Sequence, residues 1–142
     1  MNDDIINILC SQNCSLVVKD AMGNISTYNK KGVRDLMWLI DNEPSRLKNA
    51  DIADKIVGKA AAGLIANAGV RTVYASVMSK KALPTLQSAN IPYSFSTLTE
   101  KITIPEGDSR CRLEELVENA DTPAQIEHTL REHFKEMQNI KQ

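Results

Sequence analysis

The stretch Asp51-Ile-Ala-Asp-Lys-Ile-Val-Gly-Lys-Ala-Ala-Ala-Gly-Leu-Ile-Ala66 decides the fold. Ile52, Ile56 and Val57 are β-branched, and Gly58 ends their run. Branched side chains suit an extended backbone. Lys59 to Ala66 are mostly good helix formers, and Ala61, Leu64, Ile65 and Ala68 recur at i, i+3, i+4 and i+7, one helical face. Asn67-Ala-Gly69 then supplies a glycine where a helix C-terminus calls for positive φ. A short strand therefore runs straight into a helix of small residues, one able to lie flat against a sheet. The first turn of that helix presents unpaired N–H groups and a partial positive charge. Lys55 and Lys59 add full charges beside it. Together these can hold an anion; two solvated lysines at a helix end are the competing reading, since Lys is mostly exposed.

Downstream, Val70 to Met78 reads as a strand rich in β formers, and Ser79 stands ready to cap a helix after it. Pro84 is compatible only with a first turn, so that helix starts nearer Lys81 and runs to about Ala89. Tyr93 to Leu98 is a further strand, with Thr103-Ile104 as a short extension and a loop over Pro105–Ser109. Cys111 to Asn119 reads as a helix. Thr122-Pro-Ala-Gln125 opens a last one, with Thr at the cap, Pro at the first position and Gln three beyond the cap. Ile126, Leu130, Phe134 and Met137 give it one apolar face. Upstream, Ser15–Asp20 and Ile25–Tyr28 flank a turn and form a hairpin. Val33, Leu36, Met37 and Ile40 mark a helix, and Asp3 to Cys10 a shorter one. The order β-β-α-β-α-β-α-β followed by helices predicts an α/β fold with a mixed sheet and helices on both faces. The 142 residues make one domain, with a core over about 15–118 and a C-terminal helix over about 122–139.

A net charge of −1 gives no electrostatic footprint for nucleic acid. No apolar run approaches the roughly 20 residues of a membrane helix. The start Met1-Asn-Asp-Asp lacks the basic opening of a secretory signal. Cys10, Cys14 and Cys111 make an odd count, so the expectation is free thiols in the cytosol, with Cys10 and Cys14 structural. His128 and His133, five apart on a helix, do not converge, and no Cys-x-x-Cys is present, so no metal site is expected. Val57-Gly-Lys-Ala60 carries only the Gly-Lys pair of a nucleotide-triphosphate loop, without its earlier glycine or the following Ser/Thr.

In an α/β sheet the C-terminal ends of parallel strands share one crevice, onto which helix N-termini open. Asp54, Lys55, Gly58 and Lys59 lie at one such join, and Met78, Ser79, Lys80 and Lys81 at the next. Lysine at a helix N-terminus opposes the macrodipole unless an anion sits there. An anion pocket and a solvated basic rim are both open. Cys111, between Arg110 and Arg112 at a helix start, has surroundings that favour a thiolate; a small buried helix-start residue is the alternative.

Leu16-Val-Val-Lys-Asp20, Lys31-Gly-Val-Arg34, Ala53-Asp-Lys-Ile-Val-Gly-Lys-Ala-Ala-Ala62, Gly69-Val-Arg-Thr-Val-Tyr-Ala75 and Cys111-x-x-Glu-Glu-Leu116 resemble the DUF1893 family over roughly Ser15 to Glu118. The resemblance implies a cytidine deaminase-like fold and brings no activity with it. Zinc deaminases place His-x-Glu or Cys-x-Glu, and then Pro-Cys-x-x-Cys, at two successive helix starts. The corresponding segments here, Asp54–Lys59 and Val77–Lys81, contain no His, Cys or Glu. A hydroxide-generating zinc needs those residues, so zinc-dependent deamination is not expected and no cofactor is implied.

The resulting expectation is a cytosolic protein that binds a small anionic metabolite or nucleotide through Lys55, Gly58, Lys59, Ser79 and Lys81. If it is an enzyme, Asp54 as base, Lys59 as a lysine of lowered pKa and Cys111 as nucleophile or redox thiol are the catalytic candidates. The alternative is a non-catalytic interaction module with a vestigial pocket, whose strand edges and last helix form a homodimer or partner surface.

Overall fold

The structure, a computed structural model, describes residues 3–30, 33–102 and 109–140, and side chains over 3–30, 33–102 and 113–136. Among the described residues five strands form one sheet: β1 Leu16–Lys19, β2 Ile25–Tyr28, β3 Asp51–Val57, β4 Thr72–Ser79 and β5 Tyr93–Thr99. Their order is β2-β1-β3-β4-β5. β1 runs antiparallel to both β2 and β3, whereas β3, β4 and β5 are parallel. The hairpin and the two β-α-β crossovers expected from the sequence are all present, and the sheet is mixed.

Strand alternation sends neighbouring residues to opposite faces. Val17, Ala53 and Tyr74 meet Ile5 and Leu9 of α1 (Asp3–Ser11) on one face, with Cys14 beside them. Leu16, Val18, Ile52, Val73 and Ala75 face the larger core on the other. That core takes Leu36 and Leu39 from α2 (Arg34–Asn42), Leu47 from α3 (Pro44–Leu47) and Leu64 and Ile65 from α4 (Lys59–Ala68). Leu86 from α5 (Leu83–Ser88), Leu113 from α6 (Ser109–Leu116), and Ile126 and Leu130 from α7 (Pro123–Ile140) complete it.

α4 is buried from Ala60 to Ile65 and ends at Gly69, whose φ of 74° is left-handed. Its small face meets a helix as well as the sheet. A Cβ placed on Gly63 would lie 2.7 Å from Ile126 Cβ, so α7 sits directly against α4 there. The start of α7 is fixed by the expected capping box. Gln125 Oε1 accepts from the Asp121 and Thr122 amides at 2.8 and 3.2 Å, and Thr122 Oγ1 accepts from Gln125 N at 3.1 Å.

Several local expectations shift. β4 begins at Thr72 rather than Val70. After it, a 3-10 helix spans Lys80–Ala82, because Ser79 Oγ accepts from Lys81 N at 3.1 Å and tightens the turn; Pro84 then falls in the first turn of α5. Cys14 is buried, but Cys10 is exposed, on the solvent side of α1, and has no core role; both are free thiols. Thr103-Ile104 and most of the Pro105–Ser109 loop lie outside the described residues. Among the described residues no helix is long and apolar enough to cross a membrane.

Two buried carboxylates act on stability with opposite sign. Asp51, on β3, is desolvated, which pushes its pKa up, but hydrogen bonds from Arg71 and from Thr72 Oγ1, together with the Arg71 charge, outweigh this and leave it below the usual carboxylate value. The stability it contributes is present above the unfolded-state pKa of about 3.9 and is lost as pH falls through the folded value. Burial raises Asp35, in the first turn of α2, against a hydrogen bond from Lys30 N at 3.0 Å. Through that group, stability increases as pH falls through the raised folded value. Asp51→Asn should therefore destabilise the fold at neutral pH, and the difference from wild type should shrink towards about pH 3. Urea unfolding at both pH values checks it; an undiminished difference at low pH would contradict the Arg71 pairing as its source.

Candidate functional site

β3 passes into α4 through Gly58, the N-cap, which is extended and has no side chain to satisfy the helix's first amides. The acceptor comes from 55 residues further along the chain. Glu114 of α6 is only 3% exposed. Its Oε2 accepts from Lys59 N at 2.9 Å and its Oε1 from Ile102 N at 2.7 Å. One carboxylate thus holds the first turn of α4 and the segment after β5 together, with the favourable end of the helix dipole facing it. Gly58 is required by this approach rather than by its backbone angles: an added Cβ would lie 2.7 Å from Glu114 Oε2 and 2.9 Å from Ile102 Cγ1. The remaining cavity is about 10 Å³, lined by Val33, Ile56, Ala60, Ala61 and Leu113 around Gly58 and Glu114. That is room for one water at most.

A second acidic residue, Glu118, follows α6. Its backbone carbonyl accepts from Lys59 Nζ at 2.8 Å, and its carboxylate lies 3.5 Å from Lys81 Nζ. Lys59 stands at the start of α4 and Lys81 at the turn after β4, so the two strand-to-helix joins converge on Glu118. Ser79, fully buried, caps the second turn and fixes where Lys81 starts from. Lys80 points elsewhere, to Glu100 at 2.7 Å.

The other expected site residues separate. Asp54 is buried within β3, in register with Leu16 and Ala75, and its Oδ1 accepts from Ile56 N at 3.3 Å. Alternation turns the Lys55 side chain to the face opposite that of Asp54, and its backbone amide, in the plane of the sheet, donates to the Ser15 carbonyl beside β1 at 3.0 Å. Lys55 therefore does not join Lys59 and Lys81. Cys111 lies on α6, and its side chain is outside the described residues. Among the described residues, no three His, Cys, Asp or Glu side chains gather in a way that could hold a metal ion.

The arrangement sets the Lys59 amide against the Glu114 carboxylate, the Lys81 ammonium against the Glu118 carboxylate and the Lys59 ammonium against the Glu118 backbone carbonyl, all delivered by α6 and the turn after it. Glu114 and Glu118 escape a reading organised around the basic residues. The signal for them is a glycine N-cap followed by lysine: such a helix start has no acceptor of its own, so one must come from elsewhere in the chain.

A family model described as "Domain of unknown function (DUF1893)" matches residues 4–134. No curated protein matches. Among solved structures, the crystal structure of a DUF1893 family protein from Thermotoga maritima is similar with a TM-score of 0.81 and 23% sequence identity. The match covers 92% of this chain and 88% of that one. The likeness in structure speaks for a shared fold, and the family match spans nearly the whole of the described domain: the chain belongs to the DUF1893 family.

Proposed function

We propose that this is a cytosolic protein of cytidine deaminase-like fold, working without zinc, that binds a small anionic metabolite or nucleotide where the joins after β3 and β4 meet. The observation that carries the reading is the convergence of Lys59 and Lys81 on Glu118. The Glu118 side chain is 61% exposed, so a ligand's anionic group can replace it at Lys81 without unfolding the core. Lys59 Nζ then exchanges a backbone carbonyl for a full negative charge, a stronger hydrogen bond. Ser79 and Gly58 set the two turns from which the lysines reach. Lys55 would add only longer-range charge, from the other face. For any chemistry on the bound ligand we assign Asp54 as base and Cys111 as nucleophile or redox thiol.

A ligand that binds only the folded state raises the melting temperature, by about 2.7 kcal/mol of stability at a hundred times its dissociation constant. The test is a thermal scan with phosphate, nucleotides and small carboxylates, with zinc as a separate condition. A rise with one anion class, abolished by Lys59→Ala or Lys81→Ala and enlarged by Glu118→Gln, is expected. A flat response to every anion in both wild type and Glu118→Gln would sink the reading. It would favour instead an interaction module with a vestigial pocket, a reading that draws on Glu114 already filling the α4 N-terminus.

A further inference from the structure

Among the described residues β5 is the edge of the sheet beyond β4, and it differs from ordinary edge strands. Its sequence, Tyr93-Ser-Phe-Ser-Thr-Leu-Thr99, contains no charge and no proline. Ser94 to Thr97 are all exposed, Phe95 among them. Natural edge strands are protected by lysine, proline, bulges or short length. β2, the opposite edge, is short, with four residues; β5 has seven and none of these devices.

The direction of its hydrogen-bonding groups follows from one bond. The Pro92 carbonyl accepts from Val73 N of β4 at 3.1 Å. Alternation then turns the backbone groups of Ser94, Ser96 and Leu98 towards β4, and those of Tyr93, Phe95, Thr97 and Thr99 outwards. We propose that β5 pairs antiparallel with β5 of a second copy of this chain, about a two-fold axis at Ser96, joining two sheets into one.

That register is the one that uses the whole strand. Tyr93 faces the partner's Thr99, and Phe95 faces the partner's Thr97; each is an outward-bonding pair, giving about eight hydrogen bonds by symmetry. Aromatic residues opposite β-branched ones are favourable cross-strand neighbours. The strand meets no like charge in pairing with itself, because it carries none. The charged Glu100 and Lys101 follow the paired stretch and end it. A strand edge alone buries less than the roughly 1,200–2,000 Å² of a permanent interface, so the dimer is weak and concentration-dependent.

Sedimentation of the full chain from about 1 to 500 μM tests it, a span that brackets a weak dissociation constant. Wild type should pass from monomer to dimer. Thr97→Pro removes one outward N–H and leaves the β4 ladder intact; Thr97→Lys sets a charge against the partner's Phe95. Each should weaken the dimer at least about tenfold, while Met22→Lys, in the β1–β2 turn, should leave it unchanged. If Thr97→Pro does not fold, Thr97→Lys and amide exchange decide: in wild type, the Tyr93, Phe95, Thr97 and Thr99 amides should slow as concentration rises. A chain monomeric throughout, or a dimer that survives Thr97→Lys with those four amides unprotected, overturns the proposal.

Discussion

Glu114→Ala should lower the stability of the folded chain by about 3 kcal/mol, a fall of roughly 10 °C in melting temperature for a domain of this size. Two backbone donors, Lys59 N and Ile102 N, lose their acceptor in a buried place. Leaving such a donor unpaired costs about 1–3 kcal/mol each. Water entering the vacated space offsets part of that, since the adjoining cavity is about 10 Å³ before the side chain is removed. Glu114→Gln keeps one carbonyl oxygen and should cost about half as much, because only one donor is orphaned. Urea unfolding of the three proteins measures it. Equal stability of wild type and Glu114→Ala would mean that the carboxylate does not hold the α4 start. Because the effect is on folding, it should be present with no ligand in solution, which separates it from the Lys59 and Lys81 substitutions.

Gly63→Ala should also destabilise, although alanine is the better helix former by about 1 kcal/mol. The new Cβ would lie 2.7 Å from Ile126 Cβ and 2.9 Å from Ile126 Cδ1, inside any normal contact distance. Ile126 is fully buried and cannot swing into solvent, so α7 must shift. Overpacking of this kind costs about 1–3 kcal/mol beyond the propensity gain. Ile126→Ala alone should cost about 2–5 kcal/mol through lost burial and a cavity. In the Ile126→Ala background the sign at position 63 should reverse, and Gly63→Ala become neutral or stabilising by up to about 1 kcal/mol. A double-mutant cycle reads this directly. Simple additivity would show that the α4–α7 approach is not set by these two residues.

The order of strands and helices is legible in the sequence because local signals carry it. β-branched residues before Gly58, the left-handed glycine after Ala68 and the Thr122–Gln125 box each act within a few residues. β4 and the helix after it differ from expectation by only a residue or two at their ends, where Ser79 and Pro84 compete for the turn. The candidate site is legible only in its basic half. Lys59 and Lys81 are expected together and meet at Glu118. Adjacency in sequence groups Lys55 with them, but a strand's two-residue period sends it to the other face. Glu114 and Glu118 stay hidden because the lysines they meet lie more than thirty residues away, and no local pattern encodes a carboxylate that caps another element's helix. The helix dipole favours an anion at the start of α4. It does not distinguish an anion brought by solution from one carried on the chain itself.

That distinction bears on the order in which the molecule can be assembled. Strands β1 to β5 and α4 lie before Glu100 in the sequence. During synthesis the sheet can therefore pair while α4 still has an open first turn at Lys59 and a bare groove at Gly63. Both are closed by the last third of the chain: Glu114 by its carboxylate, Ile126 by its bulk. A nascent chain stalled before α6 would hold its sheet with α4 loosely seated, and the C-terminal helices would then act as the step that locks it. Contacts of such long sequence separation form late and slow the final stage of folding.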